Sequence, residues 1–284
     1  MSDLIPMPSL LYEDVVRRAL LEDLGRAGDI TTDAIAPPGL TGRGVLLARV
    51  GGRVAGLETA QLAFRLLDPD ARFDVRRRDG QDVEAGGIVA RVESSARALL
   101  AAERTALNLL GHLSGIATAT RDVVARLDGL NTRVTCTRKT TPGLRALEKH
   151  AVRAGGGSNH RFGLDDAVLV KDNHVALAGG IAEAVHRVRR AVGHMVKVEV
   201  EVDTIAQLDD ALAIGVDVVL LDNMDLPTLR EAVRRARGRV LTEASGGIRP
   251  ETARAVAETG VDILSLGWLT HSAPSLDITL DIEA

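Results

Sequence analysis

The second half of the chain alternates between short apolar runs and helical patterns, and this regularity limits the possible folds more than any other feature. Runs rich in β-branched residues lie at 132–137, 167–170, 196–202, 217–221, 239–244 and 261–266. Helical patterns lie between them at 143–154, 178–192, 204–214, 226–237 and 250–259. Strands that alternate with helices are joined by right-handed crossovers into a parallel sheet. The sequence therefore predicts an α/β fold for this half.

The placement of polar residues favours a barrel over an open sheet. Neither a GxGxxG nor a GxxxxGK[ST] sequence follows the first of these strands, which argues against the common nucleotide-binding open sheets. Chemically capable residues come directly after the strands, as they do at the C-terminal edge of an α/β barrel. They are Arg138-Lys139, Lys171-Asp172-Asn173, Glu201 and Asp203, Asp222-Asn223, Ser245-Gly246-Gly247 and Gly267. Because six strands are fewer than the eight of a closed barrel, we expect an incomplete one.

The first half of the chain has mixed patterns typical of an α+β module. Helices are predicted at 11–24 and 57–67, and strands at 42–50, 71–78 and 87–94. Residues 28–39 (GDITTDAIAPPG) are predicted to form a loop. A long helix is expected at about 97–127, and Gly111, Ser114 and Gly115 are expected to loosen or break it.

Charge is distributed unevenly along the chain. The formal net charge is −4, yet residues 133–161 carry seven Lys or Arg against the single acid Glu148, a net +6. A local cationic cluster in an acidic protein indicates a pocket for a small polyanion. Nucleic acid is a weaker interpretation, because aromatic residues for stacking make up only 2% of the chain. Part of the cluster can equally be a solvated helix face, since Arg145 and Lys149 are four residues apart.

Other classes of protein are disfavoured by composition. The single cysteine, Cys136, excludes an intramolecular disulfide and an all-cysteine metal cage. No run approaches the roughly 20 apolar residues of a membrane span. The N-terminal segment MSDLIPMPSLLYEDVV lacks the basic start and apolar run of a secretory signal. We therefore expect a cytoplasmic protein without a membrane partner.

Two segments in the basic window are candidates for binding an anion. Thr137-Arg138-Lys139-Thr140 follows the first strand of the alternating half and combines a planar guanidinium, a point charge and neutral donors. Gly155–Arg161 (GGGSNHR) can bring its backbone close to a ligand, although the same pattern also suits a mobile flap or a linker. Lys171 ends the second strand, where it can bind an anion or, if desolvated, form a Schiff base.

The later strand ends predict sites for a metal and a phosphate. Carboxylates at Glu201 and Asp222 can hold Mg²⁺ together with substrate oxygens, or pair with the nearby cations. Glu199 has the same residue parity as Glu201 and is expected on the same face. Ser245-Gly246-Gly247 precedes a helix predicted to begin at Pro250, and backbone N–H groups at a helix start bind phosphate. Gly267 predicts a second such loop.

At this point the sequence resembles the quinolinate phosphoribosyltransferase family. The stretches that carry the resemblance run in order over nearly the whole chain. They are EDLGRAGDITT (22–32), AERTALNLLGHLSGIAT (102–118), TRKTTPGLRALEKHAVRAGGGSNHR (137–161), LVKDNH (169–174), VEVEVD (198–203), LLDNM (220–224), EASGGI (243–248) and LGWLTHS (266–272). Cys136 before the TRKT run and Trp268 in the last stretch depart from the usual pattern, but neither has a charge role.

The resemblance implies an open, about seven-stranded α/β barrel (115–284) with an N-terminal α+β module (1–114). In the implied homodimer, which can assemble further, each module caps the active site of the partner, and the C-terminal tail packs back on the module. The implied activity is that of a pentosyltransferase: transfer of the phosphoribosyl group from phosphoribosyl pyrophosphate to quinolinate with decarboxylation, on the route to NAD.

The resemblance also implies a role for each site residue. The quinolinate-binding set is Arg104, Thr137, Arg138, Lys139, His160, Arg161 and Lys171. The catalytic set is Lys139, Lys171, Glu201 and Asp222. The carboxylates Glu201 and Asp222 are the implied Mg²⁺ ligands. The phosphoribosyl-binding set is Glu201, Asp222, Ser245, Gly246, Gly247, Gly267 and His271.

Three rival functions remain open at this stage. Lys171 could be the nucleophile of a Schiff-base lyase or aldolase. A paralogue associated with molybdenum transport shares the same scaffold. A module that binds anions without catalysis would show phosphate binding without turnover.

Overall fold

The structure is a computed structural model that describes residues 4–283. Residues 1–3, part of the N-terminal segment considered above, and residue 284 lie outside the described part. A 3₁₀ turn at Ser9–Leu11 precedes the helices. The helices are α1 Glu13–Leu24, α2 Ile30–Ile35, α3 Leu57–Leu67, α4 Ala96–Arg126, α5 Arg145–Ala154, α6 Asp172–Ala178, α7 Ile181–Ala191, α8 Ile205–Ile214, α9 Leu226–Ala236, α10 Pro250–Ala257 and α11 Trp268–His271. The strands are β1 Thr41–Ala48, β2 Gly52–Arg53, β3 Arg72–Val75, β4 Asp82–Val83, β5 Ile88–Ser95, β6 Arg133–Thr135, β7 Val168–Val170, β8 Val198–Val202, β9 Val218–Asp222, β10 Leu241–Ser245, β11 Ile263–Ser265 and β12 Ile278–Glu283.

The described residues form two compact units, each assembled from separate stretches of chain. The first unit comprises the chain up to Arg121, Thr140–Gly156, and the chain from Leu269 onward. The second unit comprises Asp122–Lys139 and Gly157–Trp268. We refer to them as the first and second units.

The second unit contains the parallel sheet that the alternating pattern predicts. Its six strands are ordered β6-β11-β10-β9-β8-β7, and every neighbouring pair is parallel. A further parallel bridge joins Thr135 to Ser158, which places the end of the glycine-rich segment beside β6. An incomplete α/β barrel is thus confirmed, with six strands and this one bridge.

The strands of this sheet are rich in buried apolar residues, as expected for parallel strands covered by helices, but β8 carries Glu199 and Glu201 and β10 carries Glu243. Val200, Val219, Leu221 and Leu264 are completely buried. Several crossover helices begin with a side-chain cap: Thr204 accepts from Gln207 N at α8, and Asp225 accepts from Thr228 N at α9. Such caps define where each strand ends and its helix begins, and so position the residues between them.

The first unit is built on an antiparallel sheet of order β12-β1-β5-β3. The C-terminal strand β12 pairs with β1, with Leu280 opposite Leu46. Phe64 of α3 and Phe73 of β3 pack with ring centroids 5.8 Å apart. This tilted pair supplies much of the aromatic packing in a chain with few aromatic residues.

The predicted loop at 28–39 is partly wrong, because it contains the short helix α2. The Asp29 carboxylate accepts a hydrogen bond from Thr32 N at 2.9 Å and caps the helix. The same hydrogen bonds, led by the Thr32 hydroxyl, lower the pKa of Asp29. Asp29 was interpreted as a turn residue, but the same residue type also caps the start of a helix.

The expected break in the long helix is also wrong, because α4 continues through Gly111 and Gly115. A Cβ at Gly115 would lie 2.1 Å from Pro274 O, and one at Gly111 would lie 2.9 Å from Leu276 O. These glycines therefore allow the 274–276 backbone to cross the helix at close range. Among the described residues, no helix, α4 included, is long and apolar enough to cross a membrane.

The helix predicted at 178–192 is confirmed as α7, and the short helix α6, which was not predicted, precedes it. α6 begins immediately after β7, at Asp172, and α7 begins at Ile181. Between them Gly179 and Gly180 have φ values of 87° and 144°, which interrupt a continuous helix. The KDNH segment, which begins with Lys171, is therefore helical from Asp172 onward.

Candidate functional site

The site residues predicted at strand ends come together because their strands are parallel and adjacent. Lys171 follows β7, Glu201 lies at the end of β8, and Asp222 and Ser245 are the last residues of β9 and β10. Asp222 is directly opposite Ser245 in the register of β9 and β10. The carboxyl ends of these strands therefore present charged and polar groups along one edge of the sheet.

Lys171 and Glu201 form an ion pair across this edge. Lys171 Nζ donates to Glu201 Oε2, and the Lys171 side chain is 45% exposed whereas that of Glu201 is 12% exposed. The backbone of Lys171 is fixed as well, since its N–H donates to His174 Nδ1 at 2.9 Å. The Lys171 ammonium is thus held at the open end of β7 beside a largely buried carboxylate.

The end of the glycine-rich segment is fastened to β6. Ser158 N donates to Val134 O at 2.8 Å, and Thr135 Oγ1 donates to Ser158 O at 3.0 Å. Cys136, which is buried, donates through its thiol to Asn159 Oδ1 at 3.4 Å. Cys136 therefore has a packing role, and residues 158–159 are anchored rather than forming a free flap.

His160 uses both of its ring nitrogens inside the protein. Arg161 N donates to His160 Nδ1 at 2.8 Å, and His160 Nε2 lies 3.0 Å from Glu199 Oε2 and 3.5 Å from Glu243 Oε1. A nitrogen that accepts from a backbone N–H carries no proton, so the ring proton is on Nε2 and points at Glu199. In this arrangement His160 orients the backbone of Arg161 instead of offering a ring N–H to a ligand. This differs from the direct quinolinate contact that the resemblance implies.

Two buried glutamates lie beneath His160. Glu199 and Glu243 are 7% and 3% exposed, and Oε1 of each has no hydrogen-bond partner among the described residues. Burial, and then the nearby Glu199 charge, raise the pKa of Glu243 to about 7. Glu199 was predicted to face the interior because it is two residues from Glu201 in the same strand, and its burial confirms this. Glu243 was not identified from the sequence. An acid inside the apolar run 239–244 was the signal that could have identified it.

One ring nitrogen of His160 and one carboxylate oxygen each of Glu199 and Glu243 lie within 4.8 Å of one another, a spacing suited to a metal ion. The hydrogen bonding argues against a metal here. A histidine that binds metal through one nitrogen normally donates a proton from the other, whereas Nδ1 of His160 accepts from Arg161. We interpret the cluster as a hydrogen-bonded support for the adjacent arginines.

Arg161 sits in a strongly cationic, partly buried environment. Burial first, and then the charge of Arg138, lower the pKa of Arg161, while Glu199 and Asp166 oppose the shift. Its Nη1 donates to Ala167 O at 3.2 Å. Two guanidinium groups that repel each other at a strand edge favour the binding of an anion between or beside them.

The loop after β10 has the geometry of a phosphate-binding loop. Gly246 and Gly247 have φ values of 94° and 61°, which side chains rarely adopt. The loop leads into α10, and Pro250 occupies its first turn as predicted. Gly267 lies between β11 and α11 and forms the second glycine position. Backbone N–H groups at these turns can bind phosphate oxygens.

The remaining predicted residues divide between the two units. Thr137 accepts from Lys139 N at 3.0 Å, so both belong to the turn after β6 in the second unit. Arg104 and His271 belong to the first unit. The Arg104 side chain is 66% exposed with Glu103 at 3.8 Å, and His271 Nδ1 lies 2.6 Å from Ser272 Oγ.

Comparison with known proteins places these features in one family. Residues 116–281 match the model of the quinolinate phosphoribosyl transferase C-terminal domain, and residues 29–114 match that of its N-terminal domain. The chain is 44% identical to a probable nicotinate-nucleotide pyrophosphorylase [carboxylating] of Bacillus subtilis, over 97% of this chain and 95% of the relative. It is 38% identical to quinolinate phosphoribosyltransferase [decarboxylating] 1b of Nicotiana tabacum, over 97% and 83% of the two chains.

Solved structures show the same similarity. The nicotinate-nucleotide pyrophosphorylase from Francisella tularensis superposes with a TM-score of 0.94 at 36% identity, with all of both chains covered. That from Ehrlichia chaffeensis gives 0.92 at 35% identity, covering 98% of this chain and all of the other. The chain belongs to the quinolinate phosphoribosyltransferase family.

Proposed function

We propose that this protein transfers the phosphoribosyl group of phosphoribosyl pyrophosphate to quinolinate, releasing pyrophosphate and CO₂ and forming nicotinate mononucleotide. The observation that carries the proposal is the pair of like charges Arg138 and Arg161 in the same unit as the parallel strand ends that bear Lys171, Glu201 and Asp222. The cations suit a small dicarboxylate, and the carboxylates suit a ribose with a bound Mg²⁺. The names of the full-length relatives support the same reaction.

The chemistry needs no protein nucleophile. The lone pair of the pyridine nitrogen forms a bond to C1 of the ribose, and the bond from C1 to pyrophosphate breaks. The ring nitrogen is then cationic, so the bond from C2 to its carboxylate can break with the electrons remaining on C2 beside that charge. A proton then replaces CO₂ at C2. Much of the rate is expected from orientation of the two substrates.

The quinolinate carboxylates are assigned to the cationic group. Arg138, Arg161 and Lys171 offer guanidinium and ammonium donors, and Lys139 and Thr137 add a charge and a hydroxyl at the turn after β6. Because burial and like charge lower the pKa of Arg161, an incoming carboxylate relieves an unfavourable arrangement. His160 acts in this assignment through the Arg161 backbone.

Glu201 and Asp222 are assigned to Mg²⁺ and the ribose hydroxyls. The donor set fits Mg²⁺, because the two carboxylates end neighbouring strands and two protein ligands leave positions for substrate oxygens. When bound, Mg²⁺ would neutralise charge on the departing pyrophosphate. Ser245, Gly246, Gly247 and Gly267 are assigned to the 5-phosphate, with His271 as a further contact.

The test is to incubate the purified protein with Mg²⁺, phosphoribosyl pyrophosphate and quinolinate labelled in the 2-carboxylate. We expect nicotinate mononucleotide and labelled CO₂ in equal amounts. Nicotinate should be a very poor substitute, since a cation that the bound ligand covers and leaves without its partner costs about 3–5 kcal/mol. Absence of product, or equal kcat/KM for nicotinate and quinolinate, would contradict the assignment.

The Schiff-base alternative is less well supported by the contacts. Nζ of Lys171 is engaged by Glu201 and the side chain is 45% exposed, unlike the desolvated lysine that such chemistry requires. Borohydride trapping with carbonyl substrates should leave Lys171 unmodified.

The active site is also proposed to draw on a second copy of the chain. In this homodimer, which is free to assemble further, the module at 1–114 caps the partner's site and supplies Arg104 to the quinolinate carboxylates. Support comes from the exposure of the Arg104 side chain, whose nearest acid is 3.8 Å away. Arg104→Ala and Lys171→Ala homodimers should each be nearly inactive.

Refolding the two variants together tests this arrangement. Random pairing makes about half the dimers mixed, and one site of each mixed dimer carries neither substitution, so activity should recover to roughly a quarter of wild type. No recovery, with mixed dimers shown to be present, would place Arg104 outside the partner's site.

A further inference from the structure

Asn223 has a backbone conformation that sets it apart. Among residues 4–283 it is the one non-glycine residue with a positive φ, at 53°. Asparagine tolerates the left-handed region better than most residues, but the conformation still persists only where the surroundings hold it. Asn223 directly follows Asp222, the last residue of β9.

The contacts of Asn223 join two neighbouring strand ends. Its Nδ2 donates to Asp222 Oδ2 at 2.6 Å, and its backbone N–H donates to Ser245 O at 3.0 Å. The first contact orients the carboxylate at the end of β9. The second ties the same residue to the last residue of β10. Asp222 and Ser245 are thus connected through one side chain and one backbone group.

The loop after β10 is shaped to receive the Asn223 side chain. A Cβ at Gly246 would lie 2.2 Å from Asn223 Oδ1 and 2.9 Å from Asn223 N. Gly246 also has a φ of 94°. The glycine is therefore required twice, by its own backbone conformation and by the amide packed against it.

We propose that Asn223 is a positioning residue that holds the Asp222 carboxylate at a fixed place relative to the loop Ser245–Gly247. This inference rests on the proposed function, which assigns Asp222 to the ribose and Mg²⁺ and the loop to the 5-phosphate. Both groups belong to one substrate molecule, so the distance between the two subsites must match the span of phosphoribosyl pyrophosphate. Asn223 fixes that distance without touching the reacting atoms.

Two substitutions separate the amide from the backbone requirement. Asn223→Gly permits the positive φ but removes the amide, and Asn223→Asp keeps the size but places a second carboxylate against Asp222. Asn131→Gly, at an exposed asparagine ahead of β6, is the matched control. For Asn223→Gly we expect KM for phosphoribosyl pyrophosphate to rise about 10- to 100-fold, as for a misplaced binding group. KM for quinolinate should change less than about 3-fold, and Asn223→Asp should lose more.

A double-mutant cycle tests the contact with Gly246 directly. Gly246→Ala should lose activity in the wild-type background, where the new methyl group meets the Asn223 amide. In the Asn223→Gly background the same change should cost at least about 3-fold less, because the amide is gone. Additive losses would overturn the inference.

Binding measurements keep the inference distinct from the proposed function. Calorimetric titration of each protein with phosphoribosyl pyrophosphate and Mg²⁺, without quinolinate, should show the same fold-weakening as KM. Equal changes in both KM values, or a lower Tm with both KM values unchanged, would overturn the role of Asn223 and leave the function intact. A wild-type protein that binds phosphoribosyl pyrophosphate but forms no nicotinate mononucleotide would overturn the function, and the titration would still decide the role of Asn223.

Discussion

The two units treat their buried acids differently. In the first unit, Glu148 is fully buried; its Oε1 contacts His112 Nε2 at 2.9 Å and its Oε2 accepts from Thr141 N at 3.1 Å. Asp79, which is only partly buried, accepts from Gly56 N and Leu57 N at the start of α3 and also contacts His150 Nε2 at 2.8 Å. Every oxygen of these two carboxylates has a partner.

In the second unit the buried acids are only partly satisfied. Glu199 and Glu243 each keep one oxygen without a hydrogen bond among the described residues, beside His160 and the cationic Arg161. Buried polar groups left unsatisfied are uncommon and cluster where a protein binds or reacts. The comparison indicates that the acids of the first unit stabilise its fold, whereas Glu199 of the second unit lies beside the cations Arg161 and Arg138, whose charge an anionic ligand can balance.

The largest effect that would sharpen this contrast is expected at Lys171. Lys171→Met should lower kcat/KM about 30- to 4000-fold, because in the proposed function the Lys171 ammonium is covered by a quinolinate carboxylate in the complex, and losing one partner of such a pair costs about 2–5 kcal/mol. The melting temperature should change little, since almost half of the side chain is exposed. Steady-state kinetics and thermal unfolding measure the two effects, and a large fall in Tm with activity retained would break the contrast.

At Asp79 we expect the opposite result, a loss of stability with little change in activity. Asp79→Ala removes the acceptor for two N–H groups at the start of α3 and for His150. The free energy of unfolding should fall by about 1–3 kcal/mol, which corresponds to a fall of roughly 3–10 °C in Tm. We expect kcat/KM at 25 °C to stay within about 3-fold of wild type. Urea unfolding checks the stability; a variant as stable as wild type but catalytically impaired would reverse the assignment.

Stability should also depend on pH through Glu243. Burial raises its pKa from 4.5 to about 7, so the folded chain holds this proton more tightly than the unfolded chain. The stabilisation is present below pH 4.5 and is lost as the pH rises through about 7, with a slope of at most about 1.4 kcal/mol per pH unit. Glu243→Gln should flatten this part of the profile, as measured by urea unfolding between pH 5 and 8. An unchanged slope would remove Glu243 as its source.

The smallest effect is expected at Asp82 in the first unit. Its contribution to stability should be lost as the pH falls, whereas that of Glu243 is lost as the pH rises. Hydrogen bonds from Arg53, and then from Arg121, hold the pKa of Asp82 below 3.8. Its contribution is therefore present at neutral pH and is lost as the pH falls below its ordinary value. Because the carboxylate is 49% exposed, Asp82→Asn should cost only about 0.2–1 kcal/mol. Acid unfolding of the variant and the wild type checks this: the difference between them should shrink as the pH falls below 3.8, and a difference that does not shrink would contradict it.

The sequence predicted the positions of the strand-end residues better than it predicted the local backbone. Lys171, Glu201, Asp222 and Ser245 were placed correctly because the ends of parallel strands meet at one edge, whatever the details of each loop. Glu243 and Asn223 were not assigned a role, because their partners, Glu199 and Ser245, lie more than 20 residues away. Those contacts depend on the register of β8, β9 and β10, which periodicity does not determine.

The errors of local structure have a similar cause. Gly111 and Gly115 were expected to weaken α4, since glycine disfavours a helix by its own propensity. In the structure the 274–276 backbone crosses at these positions, and tertiary packing outweighs the propensity. Residues 28–39 contain enough turn formers to predict a loop, yet the cap of Asp29 on Thr32 stabilises α2.

A crystal structure of the protein with quinolinate bound is the most direct test of the central claim, that the second unit is organised around a dicarboxylate. We predict that the carboxylate oxygens lie about 2.7–2.9 Å from donors of Arg138, Arg161 or Lys171, the distance of charge-assisted hydrogen bonds. Quinolinate bound against Asp79 and His150 of the first unit, or bound without contact to any of the three cations, would contradict the account.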